Sequence, residues 1–194
     1  MKITITGNIG SGKTTFAQFA EEAGYTVLRA DDISKKILAE DEKVKSLVIK
    51  VFGEKSFKDG KPNKSFLVNE IFIDSTKLQK LESILHPRVI KSIDKYSTEI
   101  LKTNKIVFVE AALIYEADME AMFDYVVLIT SDRTNRLNRK IKSGLTEQDF
   151  IQRESNQIPE EEKKKRADFI FSNNASIEEL KMKFKLLLLT IGIK

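Results

Sequence analysis

The sequence predicts an α/β fold: a three-layer core around a five-stranded parallel sheet, with an inserted helical lobe and a helical lid. Three observations predict it. Short apolar runs alternate with helical patterns, as parallel strands joined by helices require. The first run, Ile3-Thr4-Ile5-Thr6, leads straight into Gly7-Asn8-Ile9-Gly10-Ser11-Gly12-Lys13-Thr14 and then into a helical pattern. Residues 33 to 103 show helical periodicity with no clear buried strand, so they read as an insertion. The expected bounds are a core of 1–32, 104–135 and 165–194, a lobe over about 33–103 and a lid over about 136–164.

The glycine stretch fits the phosphate-binding pattern of glycine, any four residues, then Gly-Lys-Ser/Thr. Strand, loop and helix is the context that pattern needs. Glycines let successive backbone N–H groups turn inward, and the helix N-terminus adds positive potential. Lys13 would reach the β- and γ-phosphates of a nucleotide, and the Thr14 hydroxyl would ligate Mg²⁺. Phe16, Phe19 and Ala20 fall on one side of the helix from Thr14 to Glu22, and Gly24 stops it.

Tyr25 to Ala30 reads as the second strand, ending in Asp31-Asp32. A carboxylate at the carboxyl end of such a strand lies where α/β sheets bind ligands. The alternative is that one of the pair caps a helix from Ile33 to Ala39. In the lobe, Val44, Val48 and Phe52, then Leu78, Leu81, Ile84 and Leu85, then Val89 and Ile93 recur at helical spacing. A loop from Gly53 to Lys64 separates the first two groups, with turn signals at Asp59-Gly60 and Pro62. Pro87 suits a first helical turn, so His86-Pro87 reads as a helix junction, and spacing alone favours a structural His86.

Ile106 to Val109 is the third strand, closed by Glu110. That acid could hold Mg²⁺ through water, or it could be a solvated strand end. Asp124 to Thr130 is the fourth. After it, Arg136, Arg139 and Lys140 share one side of a helix, Gly144 breaks it, and Thr146 to Gln157 restarts it. Clustered arginines here suggest a lid that closes on phosphate, the alternative being a solvated basic face. Glu160 to Arg166 reads mostly as surface charge. Phe169-Ile170-Phe171 is the fifth strand, Ser172-Asn173-Asn174 lies at an edge that commonly holds a base, and Ile177, Leu180, Phe184, Leu187, Leu188 and Ile191 line a closing helix.

Composition narrows the class. The 194 residues suit one domain with an inserted lobe. The absence of cysteine excludes disulfides, thiolate metal sites and cysteine nucleophiles, and a single histidine excludes a histidine-rich metal site. The longest apolar run, Leu186 to Leu189, is too short to span a bilayer, and no leader precedes the glycine loop, so a cytoplasmic protein without membrane contact is expected. The net charge of +4 favours anionic partners. No basic stripe interleaved with aromatics appears, so polyphosphate ligands are expected and nucleic acid is not. A monomer is expected.

Lined up together, these residues resemble the dephospho-CoA kinase family, nearly end to end, and the fold expected is that of P-loop NTPases of the nucleoside-monophosphate-kinase type. The glycine loop is similar to the family's, apart from Asn8 where a second glycine is usual. Val27-Leu28-Arg29-Ala30-Asp31 resembles a strand ending in Asp-Ala-Asp, with Arg29 in place of the first acid. Leu81 to Pro87 is similar to a characteristic family stretch. Glu110 to Glu116 resembles Asp-x-Pro-Leu-Leu-Phe-Glu, with Glu110 for Asp and Ala112 for Pro. Arg153 and Gln157 match an Arg-x-x-x-Gln lid element, and Ala167-Asp168 through Asn173 matches a closing Ala-Asp and Asn.

The resemblance implies transfer of the γ-phosphoryl group of ATP, with Mg²⁺, to the 3′-hydroxyl of the adenosine ribose in dephospho-CoA. It implies Asp31 as the base, acting with Lys13 and a lid cation. Either Arg139 or Lys140 stands at the family's lid-arginine place, and Arg139 is assigned to it. Nucleotide contacts fall to Gly7, Asn8, Ile9, Gly10, Ser11, Gly12, Lys13, Thr14, Thr15, Arg136, Arg139, Asn173 and Asn174, and the metal to Thr14 and, through water, Glu110. The acceptor side falls to Asp31, Lys64, His86 and Leu113. Lys64 replaces an arginine in the family's substrate lobe and loses bidentate capacity. Three rivals fit less well. Nucleoside kinases normally carry Glu-Arg-Ser or Asp-Arg-Ser where this chain has Glu110-Ala111-Ala112. Nucleoside monophosphate kinases match the His86-Pro87 and Ala112 to Glu116 stretches poorly. A guanine-nucleotide switch needs an acid that Ser172 to Ala175 lacks.

Overall fold

The structure is a computed structural model. It describes residues 1–192, without the side chains of Phe72, Ile73 and Ser75. The described chain forms two units, Met1–Arg29 with Ser97–Lys194, and Ala30–Tyr96.

The first unit opens with β1 (Lys2–Thr6), α1 (Lys13–Glu22) and β2 (Thr26–Arg29). The β-branched alternation of β1 is buried almost throughout, as befits a central strand. β2 ends at Arg29, one residue short of the expected strand end.

The second unit begins with α2 (Ala30–Glu40), so Asp31 and Asp32 lie in the first turn of a helix, not at the end of a strand. Two acids there complement the positive end of the helix dipole, which explains why the chain turns helical without a loop. Next come α3 (Glu42–Phe52), capped by Asp41, a hairpin of β3 (Phe57–Lys58) and β4 (Lys61–Pro62), and α4 (Lys64–Ile73), capped by Asn63. The sequence predicts a loop from Gly53 to Lys64, and the structure forms this hairpin within it. Its strands are two residues each, too short to leave an alternating pattern, and Asp59 and Gly60 turn it with positive φ. The long helix α5 (Ser75–Ile100) runs straight through Pro87, so no junction exists at His86-Pro87. Leu81, Leu85, Val89 and Ile93 are buried along one stripe. That burial, about 1.5–3 kcal/mol per side chain, outweighs the roughly 3 kcal/mol that an internal proline costs. Beside the proline, the Arg88 guanidinium donates to the Ile84 carbonyl at 3.1 Å. Val44, Val48, Phe52, Leu67, Leu81 and Leu85 form this unit's core.

The chain returns to the first unit with β5 (Val107–Glu110), β6 (Tyr125–Thr130), α6 (Arg133–Lys142), α7 (Glu147–Ser155), α8 (Glu160–Lys164), β7 (Phe169–Ser172) and α9 (Ile177–Thr190). The five strands pair in parallel in the order β2-β5-β1-β6-β7. β1 is the middle strand, so the loop that follows it opens at the carboxyl edge of the sheet centre. Asp124 and Asp168 each accept the backbone N–H of a neighbouring strand, from Lys2 and Val126, both at 2.7 Å. The Ala-Asp element thus registers β7 on β6. Phe16, Phe19, Phe108 and Phe184 pack with Ile3, Ile5, Val127 and Ile129 into the unit's core. Gly144 ends α6 with φ 90 and Thr146 caps α7, as the sequence predicts. Gln157 lies two residues past the end of α7. Within Glu160 to Arg166, most charges are exposed, but Lys163 is fully buried, a correction to the surface reading. Among the described residues no helix is long and apolar enough to cross a membrane.

Candidate active site

The glycine loop is where backbones come closest. Gly7, at φ 147, passes the Ile129 carbonyl of β6 so tightly that a Cβ would sit 2.2 Å from its oxygen. Gly10, at φ 78, meets the backbone of α6, where a Cβ would lie 2.5 Å from the Arg136 carbonyl oxygen. Neither contact has a flexible side chain that could yield.

The carbonyls of Asn8, Ile9, Gly10 and Ser11 each have a donor. The Asn8 carbonyl accepts from Ser11 N–H at 3.1 Å and from Lys13 Nζ at 3.3 Å. The Ile9 carbonyl accepts from Arg136 Nη1 at 3.2 Å, and the Gly10 carbonyl from Arg139 Nη1 at 3.2 Å. The Ser11 carbonyl accepts from Asn173 Nδ2 at 2.7 Å. Carbonyls satisfied in this way brace the loop backbone, whose Ser11 amide bonds the Asn8 carbonyl and whose Ile9 amide bonds Gln157 Oε1.

Two arginines of α6 hold the loop from behind. Arg136 is only 6% exposed and also donates to Ser131 O at 3.0 Å and Glu154 Oε1 at 2.7 Å. Its guanidinium and that of Arg133 lie over the Phe150 ring. Arg139 donates to Ser131 Oγ at 3.1 Å and to the Asn173 carbonyl at 2.6 Å, and burial lowers its pKa. Asn174 Oδ1 accepts from Ser131 Oγ and Asp132 N–H, both at 2.9 Å. Both asparagine side chains thus tie the loop after β7 to its surroundings.

At the start of α1 the Thr14 hydroxyl donates to Glu110 Oε1 at 2.6 Å. Arg29 Nε lies 3.3 Å from Glu110 Oε2, while its two Nη atoms bridge to Glu21. That bond from Arg29 holds the Glu21 carboxyl below its usual range. The paired Thr14 and Glu110 oxygens are hard donors that fit Mg²⁺, which takes few protein ligands and keeps its waters. Among the described residues no three acids or histidines gather to cage a metal.

A family model described as dephospho-CoA kinase matches residues 1–179 of the chain. The chain belongs to the dephospho-CoA kinase family. The dephospho-CoA kinase of Aquifex aeolicus is 36% identical over 179 residues, covering 92% of this chain and 91% of the relative. Among solved structures, TT1252 from Thermus thermophilus superposes with a TM-score of 0.81 at 32% identity, covering 98% of this chain and 97% of that one. A dephospho-CoA kinase from Campylobacter jejuni superposes with a TM-score of 0.73 at 29% identity, covering 98% of both chains. The chain is therefore a P-loop kinase that uses ATP to phosphorylate dephospho-CoA in coenzyme A biosynthesis.

Within the first unit the structure gathers Gly7 to Thr15, Glu110, Arg136, Arg139, Asn173 and Asn174. Leu113 is half-buried in the turn after β5. Asp31, Lys64 and His86 lie in the second unit: Asp31 in the first turn of α2, Lys64 opening α4 after its Asn63 cap, and His86 inside α5. Two departures from the family pattern, Arg29 and Glu110, touch each other, so the arginine lies against the acid that follows β5. Sequence reasoning missed Ser131 and Glu154, which organise the arginines. Neither stands in a recognisable motif. The only available signal was that five arginines and lysines within one short helix need acceptors.

Proposed function

We propose that the chain moves the γ-phosphoryl group of ATP to the 3′-hydroxyl of the adenosine ribose of dephospho-CoA, with Asp31 receiving or orienting the hydroxyl proton. The observation that carries this reading is the glycine loop itself, whose carbonyls are bonded by Arg136, Arg139 and Asn173. A phosphoryl transfer asks mainly for positioning and charge neutralisation, and this loop would supply both. Lys13 would meet the β- and γ-phosphates. Arg139, from the lid segment, would neutralise charge that moves to the bridging oxygen. Thr14 and Glu110 would hold Mg²⁺, which when bound shields the phosphate charge. The Asn173 and Asn174 side chains are engaged in the scaffold, so adenine contacts fall to the loop that they fix.

Asp31 follows Arg29 by two positions in the chain, and Arg29 belongs to the carboxyl end of β2. α/β enzymes commonly place catalytic groups just after the carboxyl end of a strand, and this position in the chain supports reading Asp31 as one. The second unit would carry the acceptor, with Lys64 meeting its phosphates and His86 contacting it, and Leu113 of the first unit is assigned to the acceptor as well. Action as a cytoplasmic monomer, without a nucleic-acid partner, belongs to the same reading.

The test is ADP release from Mg-ATP, with dephospho-CoA set against deoxynucleosides and nucleoside monophosphates. Asp31→Asn should cut turnover with dephospho-CoA by roughly a hundredfold or more while ATP affinity stays nearly intact. Equal turnover in that variant removes Asp31 from the chemistry.

A further inference from the structure

One residue of the glycine loop is gripped on both of its peptide groups. The Ile9 carbonyl accepts from Arg136 Nη1 at 3.2 Å, and the Ile9 N–H donates to Gln157 Oε1 at 2.8 Å. Arg136 sits in α6 and Gln157 lies just past α7, so the two ends of the α6–α7 segment close on a single loop residue. The grip is braced at each end. Glu154, in the last turn of α7, holds Arg136 through Oε1 at 2.7 Å. The next backbone amide after Gln157, that of Ile158, donates to Glu116 Oε1 at 2.8 Å. Glu116 is itself held by the buried ammonium of Lys163 at 2.9 Å.

The chemistry of the two grips differs. A guanidinium on the Ile9 carbonyl holds the peptide between Ile9 and Gly10 through an oxygen that an anion would repel. The amide side is the one a phosphate would compete for. Gln157 offers a neutral acceptor, strong enough to hold the Ile9 amide yet without charge to repel a nucleotide. An aspartate or glutamate at this place would hold the amide more tightly and oppose the phosphates.

We propose that Gln157 is a positioning residue for the phosphate loop. Through Ile9 it sets the curvature of Gly7 to Thr14, and Glu116 sets Gln157 by fixing the Ile158 amide. Any displacement of α7 then reaches the nucleotide through Ile9. The inference rests on the reading that Gly7 to Thr14 holds ATP.

Gln157→Met keeps the length of the side chain and removes the acceptor. Three readouts are taken on the full chain: amide hydrogen exchange of the loop, affinity for ADP by calorimetry, and steady-state kinetics. The expected result is faster exchange at Ile9, ADP affinity lower by roughly threefold to tenfold as one hydrogen bond implies, and an acceptor KM within twofold. A melting temperature close to the wild type's goes with it. Unchanged exchange and unchanged ADP affinity overturn the proposal. So does an equal loss for ADP and acceptor together with a lower melting temperature, which marks general damage. As a second arm, Glu116→Gln/Lys163→Met keeps an acceptor for the Ile158 amide in an uncharged pair and should retain ADP affinity. Glu116→Met/Lys163→Met removes that acceptor and should lose ADP affinity as Gln157→Met does. Identical ADP affinities in these two double variants overturn the role of Glu116. Failure of the wild-type protein to bind ADP at all would instead refute the nucleotide reading.

Discussion

Lys163 is the side chain whose removal should be felt most in stability. It is 0% exposed, and the only carboxylate within ion-pair distance among the described residues is Glu116, at 2.9 Å. The ion pair is made to Glu116 Oε1, and neither Lys163 Nζ nor Glu116 Oε2 has a hydrogen-bond partner among the described residues. Such a pair is poorly compensated for its desolvation. Deleting one member is worse than keeping both, because a buried charge is then left alone. Lys163→Met should destabilise the protein by about 3–5 kcal/mol, the cost typical of breaking a buried pair. For a domain of this size each kcal/mol shifts the melting temperature by about 2–4 °C, so a drop of roughly 6–20 °C is expected. Glu116→Gln/Lys163→Met, which removes both charges and keeps an acceptor for Ile158 N–H, should recover most of that loss. Differential scanning calorimetry of the wild type and the two variants is the assay. A single variant that melts within about 2 °C of the wild type, or a double variant no better than the single, refutes the reasoning.

Tyr115→Phe should leave stability unchanged or raise it by up to about 1 kcal/mol, because the buried Tyr115 hydroxyl has no hydrogen-bond partner among the described residues and Arg166 can still lie over the ring. Burial also pushes the Tyr115 pKa up from 10.0 to about 12. The folded state therefore favours the neutral phenol: its contribution is complete below pH 10 and is lost as pH climbs toward about 12. Urea titrations of the wild type at pH 9 and pH 11 should show that alkaline loss, and the Phe variant should lack it. Arg136→Met and Arg139→Met should separate. The first should lower the melting temperature by several degrees, and the second should weaken ADP binding by roughly tenfold or more with a smaller thermal effect. Equal profiles in paired calorimetric and ADP-binding measurements would remove the distinction.

Much of the core was legible because its signals are local. The strand, the glycine loop and α1 are contiguous, and the glycines at 7 and 10 are required by approaches that only glycine tolerates. The arginine spacing on α6 was legible too, but its purpose was not. Arg136 reaches a carbonyl 127 positions away in the chain, and backbone acceptors carry no sequence signature. The turn at Ala30 was misread because the apolar alternation of β2 continues to it, while the two acids that start α2 can equally close a strand. Pro87 was read by its local preference, yet a long apolar stripe on α5 overrides it. Lys163 was hidden inside a charged run, where composition says surface and only the partner Glu116, far back in the chain, says otherwise.

The two arginines of α6 that reach the glycine loop divide their work by charge balance. Arg136 is paired with Glu154, which also takes Arg133, so its positive charge is answered inside the fold. Arg139 has no carboxylate within ion-pair distance among the described residues. Its four acceptors are neutral: the carbonyls of Gly10, Ser11 and Asn173 and the Ser131 hydroxyl. Neutral acceptors orient a guanidinium without cancelling its field. The burial that lowers the Arg139 pKa expresses the same imbalance, since a half-buried cation without a counter-ion is held at a cost. An anion arriving in the adjacent glycine loop relieves that cost. Arg136 therefore braces the loop with its charge answered, whereas the charge of Arg139 meets no carboxylate among the described residues.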